Sequence, residues 1–259
     1  MVKNPNVLRV VTYNTHKSRG LDGRIRPERI VKVLHKLNAD IISLQEVWSY
    51  KEGPLRKDQA RFFSEELKLT CCVGETRKYR GGIYGNIILT RFPVLFTQTY
   101  DLTVVQREER GCLRADLDIA PFGLVHVFNI HLGTGYFERK RQAQKLIDVT
   151  LLRNPDLKGK RLVMGDFNEW MLGPTTKFLQ EQFRSVDAAT VHPVKSFPGL
   201  MPMLPLDHIY FDSEFKLERL TIYRSPLALI ASDHLPVVAD FGLNLEATKQ
   251  EPASSAAPG

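Results

Sequence analysis

Six short apolar runs, each carrying acids, amides or imidazoles at one end, constrain this chain more than any other feature. They read VVTYNTH (10–16), IISLQEV (41–47), VFNIHLG (127–133), LVMGDFN (162–168), LDHIYF (206–211) and ASDHLPV (231–237). Runs of this length and composition, bounded by turn-forming residues, are the pattern of buried β-strands. In LVMGDFN, Asp166 and Asn168 stand two positions apart and share a side if the chain stays extended. Each polar end alone has an ordinary explanation as a turn, a helix cap or a surface group. Six together do not, because polar groups at the ends of core strands cost free energy unless they bind one another, a metal or a ligand. The pattern therefore predicts that these strand ends share one cleft.

The intervening sequence supplies helices. Val7–Tyr13 reads as a strand, and Pro27 opens a helix whose Ile30, Val33, Leu34 and Leu37 share a face. Ile41–Leu44 is the next strand, so the chain begins β-α-β. Further helices are predicted over Asp58–Leu67 and Glu138–Leu152, the latter with Ala143, Leu146, Ile147 and Leu151 on one face. Strands are predicted at Asn86–Leu89, Val94–Thr99, Leu113–Ile119, Leu124–Ile130, Leu162–Met164, Ile209–Phe211, Phe215–Tyr223 and Pro236–Phe241, several close enough for antiparallel hairpins. No Pro/Ser-rich linker interrupts them. One α/β domain over residues 1–245, sheets inside and helices outside, is the expectation. The stretch from Thr248, TKQEPASSAAPG, is polar and Pro-containing, so residues 246–259 are expected to form a disordered tail.

Composition narrows the class. At 259 residues and 43% hydrophobic, the chain has ample material for a core. It has no run approaching the ~18 apolar residues of a membrane span. MVKNPNVLRVV lacks the pattern of a secretory signal, so a cytoplasmic, soluble, monomeric protein is expected. Cys71, Cys72 and Cys112 fit neither a disulfide framework nor a zinc spacing and read as small apolar residues near strands. With 36 Lys+Arg against 29 Asp+Glu, the net charge of +7 favours an anionic partner, either nucleic acid or a phospholipid surface. The densest basic spots, RKYR at 77–80, Arg107 with Arg110, and ERKR at 138–141, equally suit solvated faces.

Carboxylate and amide oxygens without thiolates suit a hard cation such as Mg²⁺ or Mn²⁺. Histidines beside carboxylates offer proton partners near neutrality. The combination suits hydrolysis at phosphorus, which needs charge neutralisation and an oriented water.

YNTH, LQEV, YGNIILTRFP, NIHLG, GDFN, LDHIY and SDHLPV, in that order, resemble the endonuclease/exonuclease/phosphatase superfamily with the DNase I-like fold, over Val7 to Phe241. The resemblance implies a four-layer α/β sandwich: two mostly antiparallel sheets face to face, with helices outside. It also implies Mg²⁺- or Mn²⁺-assisted phosphoester hydrolysis. By position, Glu46 resembles the main metal ligand, with Asn14 beside it and Asp233 completing the set. Asp166 matches the residue that orients or deprotonates the attacking water, and Asn168 the one that steadies the phosphate or that water. His234 would contact a phosphate oxygen and move a proton, with Asp207 on its other ring nitrogen. His131 would stabilise the pentacovalent transition state or protonate the leaving group. Asn86 and Asn129 would line the cleft toward substrate. Arg110 would face a phosphate or, equally, a salt-bridge partner.

Asn129-Ile-His131 stands where abasic-site endonucleases of this superfamily carry Tyr-x-Pro-Asn, which argues against that branch. The NxHL form is more similar to the DNase I, sphingomyelinase and phosphoinositide-phosphatase branches, and most of all to small bacterial members. Three functions stay open: a phosphodiesterase acting on a phospholipid headgroup or small diester, a metal-dependent nuclease, and a non-catalytic nucleic-acid- or protein-binding member. The loop VKSFPGLMPMLPL before Asp207 is either Pro-stiffened packing over the sheet end or an apolar lip beside the cleft formed by Phe197, Leu200, Met201 and Met203, suited to a lipid acyl region or to stacking beneath a base.

Overall fold

A computed structural model describes residues 4–147, 151–152, 154–189 and 194–244. Twelve strands form among them: β1 (Leu8–Asn14), β2 (Ile41–Ser49), β3 (Thr70–Tyr79), β4 (Gly82–Thr90), β5 (Val94–Asp101), β6 (Gly111–Ile119), β7 (Gly123–His131), β8 (Lys160–Asp166), β9 (Arg184–Ser185), β10 (Asp207–Phe211), β11 (Phe215–Ile222) and β12 (Val237–Leu243). They make two six-stranded sheets, ordered β11-β12-β1-β2-β4-β3 and β5-β6-β7-β8-β10-β9. Helices α1 (Pro27–Leu37), α2 (Gln59–Leu67), α3 (Tyr136–Ile147), α4 (Pro174–Gln182) and the single turn α5 (Ala228–Ala231) complete the fold.

Each sheet contains one parallel pair, β1/β2 around α1 and β7/β8 around α3, and is otherwise antiparallel. The facing surfaces bury one apolar layer, including Val10, Ile88, Leu113, Val127, Met164 and Ile209. A second layer packs α1 and α2 on the first sheet through Ile30, Leu34 and Phe63, and a third packs α3 and α4 on the other through Leu146, Phe178 and Leu179. This is the four-layer sandwich that the motifs implied.

The register sets the functional end. Gly111, His131, Asp166 and Asp207 sit opposite one another across β6, β7, β8 and β10. Asn14 sits opposite Gln45 in the other sheet, at the end where β12 begins.

Some boundaries differ from expectation. Asp58 does not begin α2 but caps it, accepting the Arg61 N–H. α3 is described to Ile147, and Leu151 and Leu152 lie buried in a turn instead of on its face; residues 148–150 are outside the described set. Cys71 and Cys72 lie on β3, an edge strand whose TRKY end hides the apolar alternation. α4 escapes periodicity because Phe178 and Leu179 are the only large apolar residues in PTTKFLQEQ. The expected tail at 246–259 lies outside the described residues.

Candidate active site

Three side chains from distant parts of the sequence converge on one oxygen. Asp166 Oδ2 accepts from Asn14 Nδ2 at 2.9 Å, and it lies 3.6 Å from His131 Nε2 and 3.7 Å from His234 Nε2. All four residues are buried. Gly165 makes this alignment possible. At φ +152° a Cβ there would come within 1.9 Å of the Ile130 carbonyl oxygen, so only glycine lets β8 lie this close to β7. Asn168 then turns the chain in the left-handed region (φ +49°), donating its N–H to Asp166 Oδ1 and its Nδ2 to the Leu132 carbonyl, both at 2.9 Å.

The two histidines sit in opposite electrostatic settings. His234 Nδ1 lies 2.7 Å from Asp207 Oδ2. Burial works against a charged ring there, but Asp207 and Asp166 outweigh it and push the pKa up to about 10. His131 moves the other way, to about 4, through burial and the neighbouring Arg110 guanidinium, against the pull of Asp166 and Glu46. Arg110 Nη1 lies 3.3 Å from His131 Nδ1. Guanidinium only donates, so Nδ1 accepts and the proton of the neutral ring sits on Nε2, toward Asp166. Burial raises the Asp166 pKa with help from Asp207, while His234 and His131 pull it down.

Glu46 reaches the site through a break in register. Between Leu44 and Val47 the β2/β4 pairing shifts, and Glu46 adopts φ +57°. Such a bulge re-aims a side chain that strict alternation would send elsewhere. Glu46 Oε1 lies 3.3 Å from Asn14 Nδ2, and Oε2 accepts from Lys17 Nζ at 2.5 Å. Burial opposes its ionisation, but His131 and Lys17 prevail and hold its pKa far below the carboxylate range. Asp233 stands at the open mouth, its side chain about a third exposed, with Oδ2 3.5 Å from His16 Nδ1.

Four expected roles need correction or refinement. Asn129 does not face substrate. It is fully buried between the sheets, donating to the Leu44 and Ile87 carbonyls at 2.9 and 2.8 Å and accepting from Gln45 Nε2 at 2.7 Å. Asn86 is likewise a fastener, donating to the Gly111 and Asn129 carbonyls. Arg110 is buried between Glu108 and His131, so it reaches the site through the imidazole and not as an open guanidinium. Asn14 turns its Oδ1 to the His16 N–H at 3.0 Å and its Nδ2 to both carboxylates, so it spaces Glu46 from Asp166.

Lys17 was not anticipated. His16, Lys17 and Ser18 occupy the left-handed region consecutively (φ +47°, +58° and +58°), a strained turn that Gln59 holds through Ser18 Oγ and the Lys17 carbonyl. The only sequence hint is a cation placed three residues after Asn14.

The donor chemistry fits a hard cation. Asp166, Asp207 and His234 each offer a ligand atom within 4.8 Å of the others. Asp207 Oδ1 is buried with no hydrogen-bond partner among the described residues, which is costly unless something binds it. Carboxylate oxygens without thiolate suit a hard divalent cation, and the His234 ring, paired with Asp207, stands beside them.

The model of the Endonuclease/Exonuclease/phosphatase family matches residues 11–234, and the chain belongs to that family, whose members are generally phosphoester hydrolases. Among curated relatives, the uncharacterized protein YbhP of Escherichia coli K12 is 28% identical over 253 residues, covering 91% of this chain and 96% of YbhP. A Beutenbergia cavernae protein of the same family superposes with a TM-score of 0.72 at 21% identity, over 92% of this chain and 72% of that one. The mannosyl-6-phosphatase Bt3783 of Bacteroides thetaiotaomicron superposes with a TM-score of 0.73 at 17% identity, over 90% of this chain and 99% of that one. These structural likenesses concern the fold.

Proposed function

We propose that the chain is a Mg²⁺- or Mn²⁺-dependent phosphoric ester hydrolase, most directly a phosphodiesterase, working by in-line attack of a water. The observation that carries this reading is the convergence of Asn14, His131 and His234 on Asp166 Oδ2. Glu46 and Asp233, with the Asp166 and Asp207 carboxylates beside them, are the residues that would hold the ion. When bound, the ion neutralises phosphate charge and acidifies water.

The chain's own groups divide the remaining work. Asp166, its position fixed by Asn14 and the Asn168 N–H, orients the attacking water and takes its proton. The cationic His234, held by Asp207, stabilises the negative phosphoryl oxygens. His131, neutral with its proton on Nε2, donates a hydrogen bond to the transition state. Asn168 steadies the phosphate or the water.

A substrate panel with Mg²⁺ or Mn²⁺, each arm repeated with EDTA, tests the reading. It contains bis-p-nitrophenyl phosphate, single-stranded and supercoiled DNA, RNA, phospholipids, inositol phosphates and a hexose phosphate. EDTA-sensitive diester cleavage is expected. Inertness toward every phosphoester sinks the assignment, and a DNA- or RNA-only pattern makes it a nuclease.

A further inference from the structure

Three loops around this cleft carry an apolar rim. Residues 132–137 lead from β7 into the first turn of α3, residues 167–173 leave β8, and residues 194–206 lead into β10. They are tied together: Asn168 Nδ2 bonds the Leu132 carbonyl, and the Phe167 N–H bonds the Leu206 carbonyl, each at 2.9 Å. They are also tied to the site. The Gly199 N–H donates to the Asp233 carbonyl at 2.6 Å, and the Phe197 ring lies 4.9 Å from that of His234.

Eight large apolar residues of these segments stand in solvent, among them Phe137 (76% exposed), Met171 (71%) and Met201 (67%); Tyr136, Phe137 and Trp170 are aromatic and the rest are Met or Leu. Single exposed apolar residues are ordinary, but eight on adjoining segments around one opening mark an interaction surface. The flanking charge has one sign. Lys140, Arg141, Lys177 and Lys195 are exposed, whereas Glu138 and Glu169, the only acids in residues 132–141, 167–177 and 194–206, are buried.

Resting on the phosphoester-hydrolase reading, the geometry points to a membrane-docking rim: these loops seat the protein on an anionic phospholipid bilayer and bring headgroup phosphoesters to Asp166 and His234. Trp, Phe, Met and Leu ringed by Lys and Arg suit the acyl–headgroup boundary, with ammonium groups reaching lipid phosphates. A single-stranded nucleic acid fits less well. Five of the eight rim side chains are Met or Leu and offer no platform on which bases stack.

The test is co-sedimentation of the full chain with phosphatidylethanolamine/phosphatidylglycerol vesicles or with phosphatidylcholine vesicles, alongside a gel shift with single-stranded DNA. Binding at least about tenfold tighter to the anionic vesicles is expected. Met171→Asp with Met201→Asp should lose at least about tenfold of it, since both introduce charge at the apolar boundary. Phe137→Ser with Leu200→Ser is the second pair, with melting by circular dichroism checking the fold of each. No vesicle binding, undiminished binding by both folded variants, or preference for DNA overturns the docking rim. The panel above judges the chemistry separately. Diester cleavage without vesicle binding removes only the rim, and vesicle binding by a chain inert to all phosphoesters removes only the hydrolase.

Discussion

His234 and Asp207 form a buried pair, Nδ1 to Oδ2 at 2.7 Å, that aims the other ring nitrogen at Asp166. One carboxylate fixes the tautomer and charge of an imidazole, and a second carboxylate receives its far side. This pairing favours the imidazolium form of His234 at neutral pH, while burial, with the Arg110 guanidinium beside it, keeps His131 neutral.

Asp207→Asn removes the charge but keeps the shape. Turnover of a soluble diester is expected to fall by about a hundredfold or more, the scale of a lost transition-state contact. The His234 pKa should drop from about 10 toward its ordinary value, which titration of its ring protons by NMR would report.

Asp166→Ala and His234→Ala should each reduce turnover at least about a hundredfold. Glu46→Ala should act chiefly on metal, raising the Mg²⁺ concentration needed for half-maximal rate. Wild-type kinetics in all three variants contradict the assignment.

Stability of the metal-free protein should depend on pH through both histidines. His234 binds its proton more tightly folded than unfolded, so its contribution is full below about pH 6.5 and fades as pH rises toward 10. His131 is depressed to about 4, so the unfolded chain takes up the extra proton between pH 6.5 and 4, and stability falls as pH falls through that window. Together they place a maximum near pH 6.5, to be read from urea midpoints in EDTA. A midpoint rising monotonically from pH 6.5 to 9 speaks against the His234 assignment.

Asn129→Ala takes a donor from each of the Leu44 and Ile87 carbonyls and one acceptor from Gln45 Nε2, which keeps Thr12 Oγ1 and the Ser43 carbonyl. A loss of about 2 kcal/mol or more is expected in denaturant unfolding, at about 1–3 kcal/mol for each of the two carbonyls. The folded fraction should keep its KM, because this side chain does not face the cleft. A raised KM at unchanged stability restores the substrate-binding role.

Gly165→Ala sets a Cβ against the Ile130 carbonyl oxygen at a backbone angle that L residues avoid. The protein should lose at least about 2 kcal/mol by thermal unfolding. Turnover should fall as well, because β8 can no longer hold Asp166 level with His131.

The sequence by itself determined ten of the twelve strands, all but β3 and β9, together with the β-α-β opening and the identity of the polar groups that meet. Those follow from local apolar periodicity and from side chains at fixed offsets from strand ends, as in GDFN and SDHLPV. Only the tertiary structure decided which of those groups face the cleft. Asn129 and His131 are two apart on one strand, yet the first locks two sheets together and the second reaches Asp166. Sheet pairing, the bulge at Glu46 and the left-handed turn at Lys17 draw that distinction. Each depends on partners 29 or more residues away, such as Asn14 and Lys17 for Glu46, whose positions no local pattern encodes.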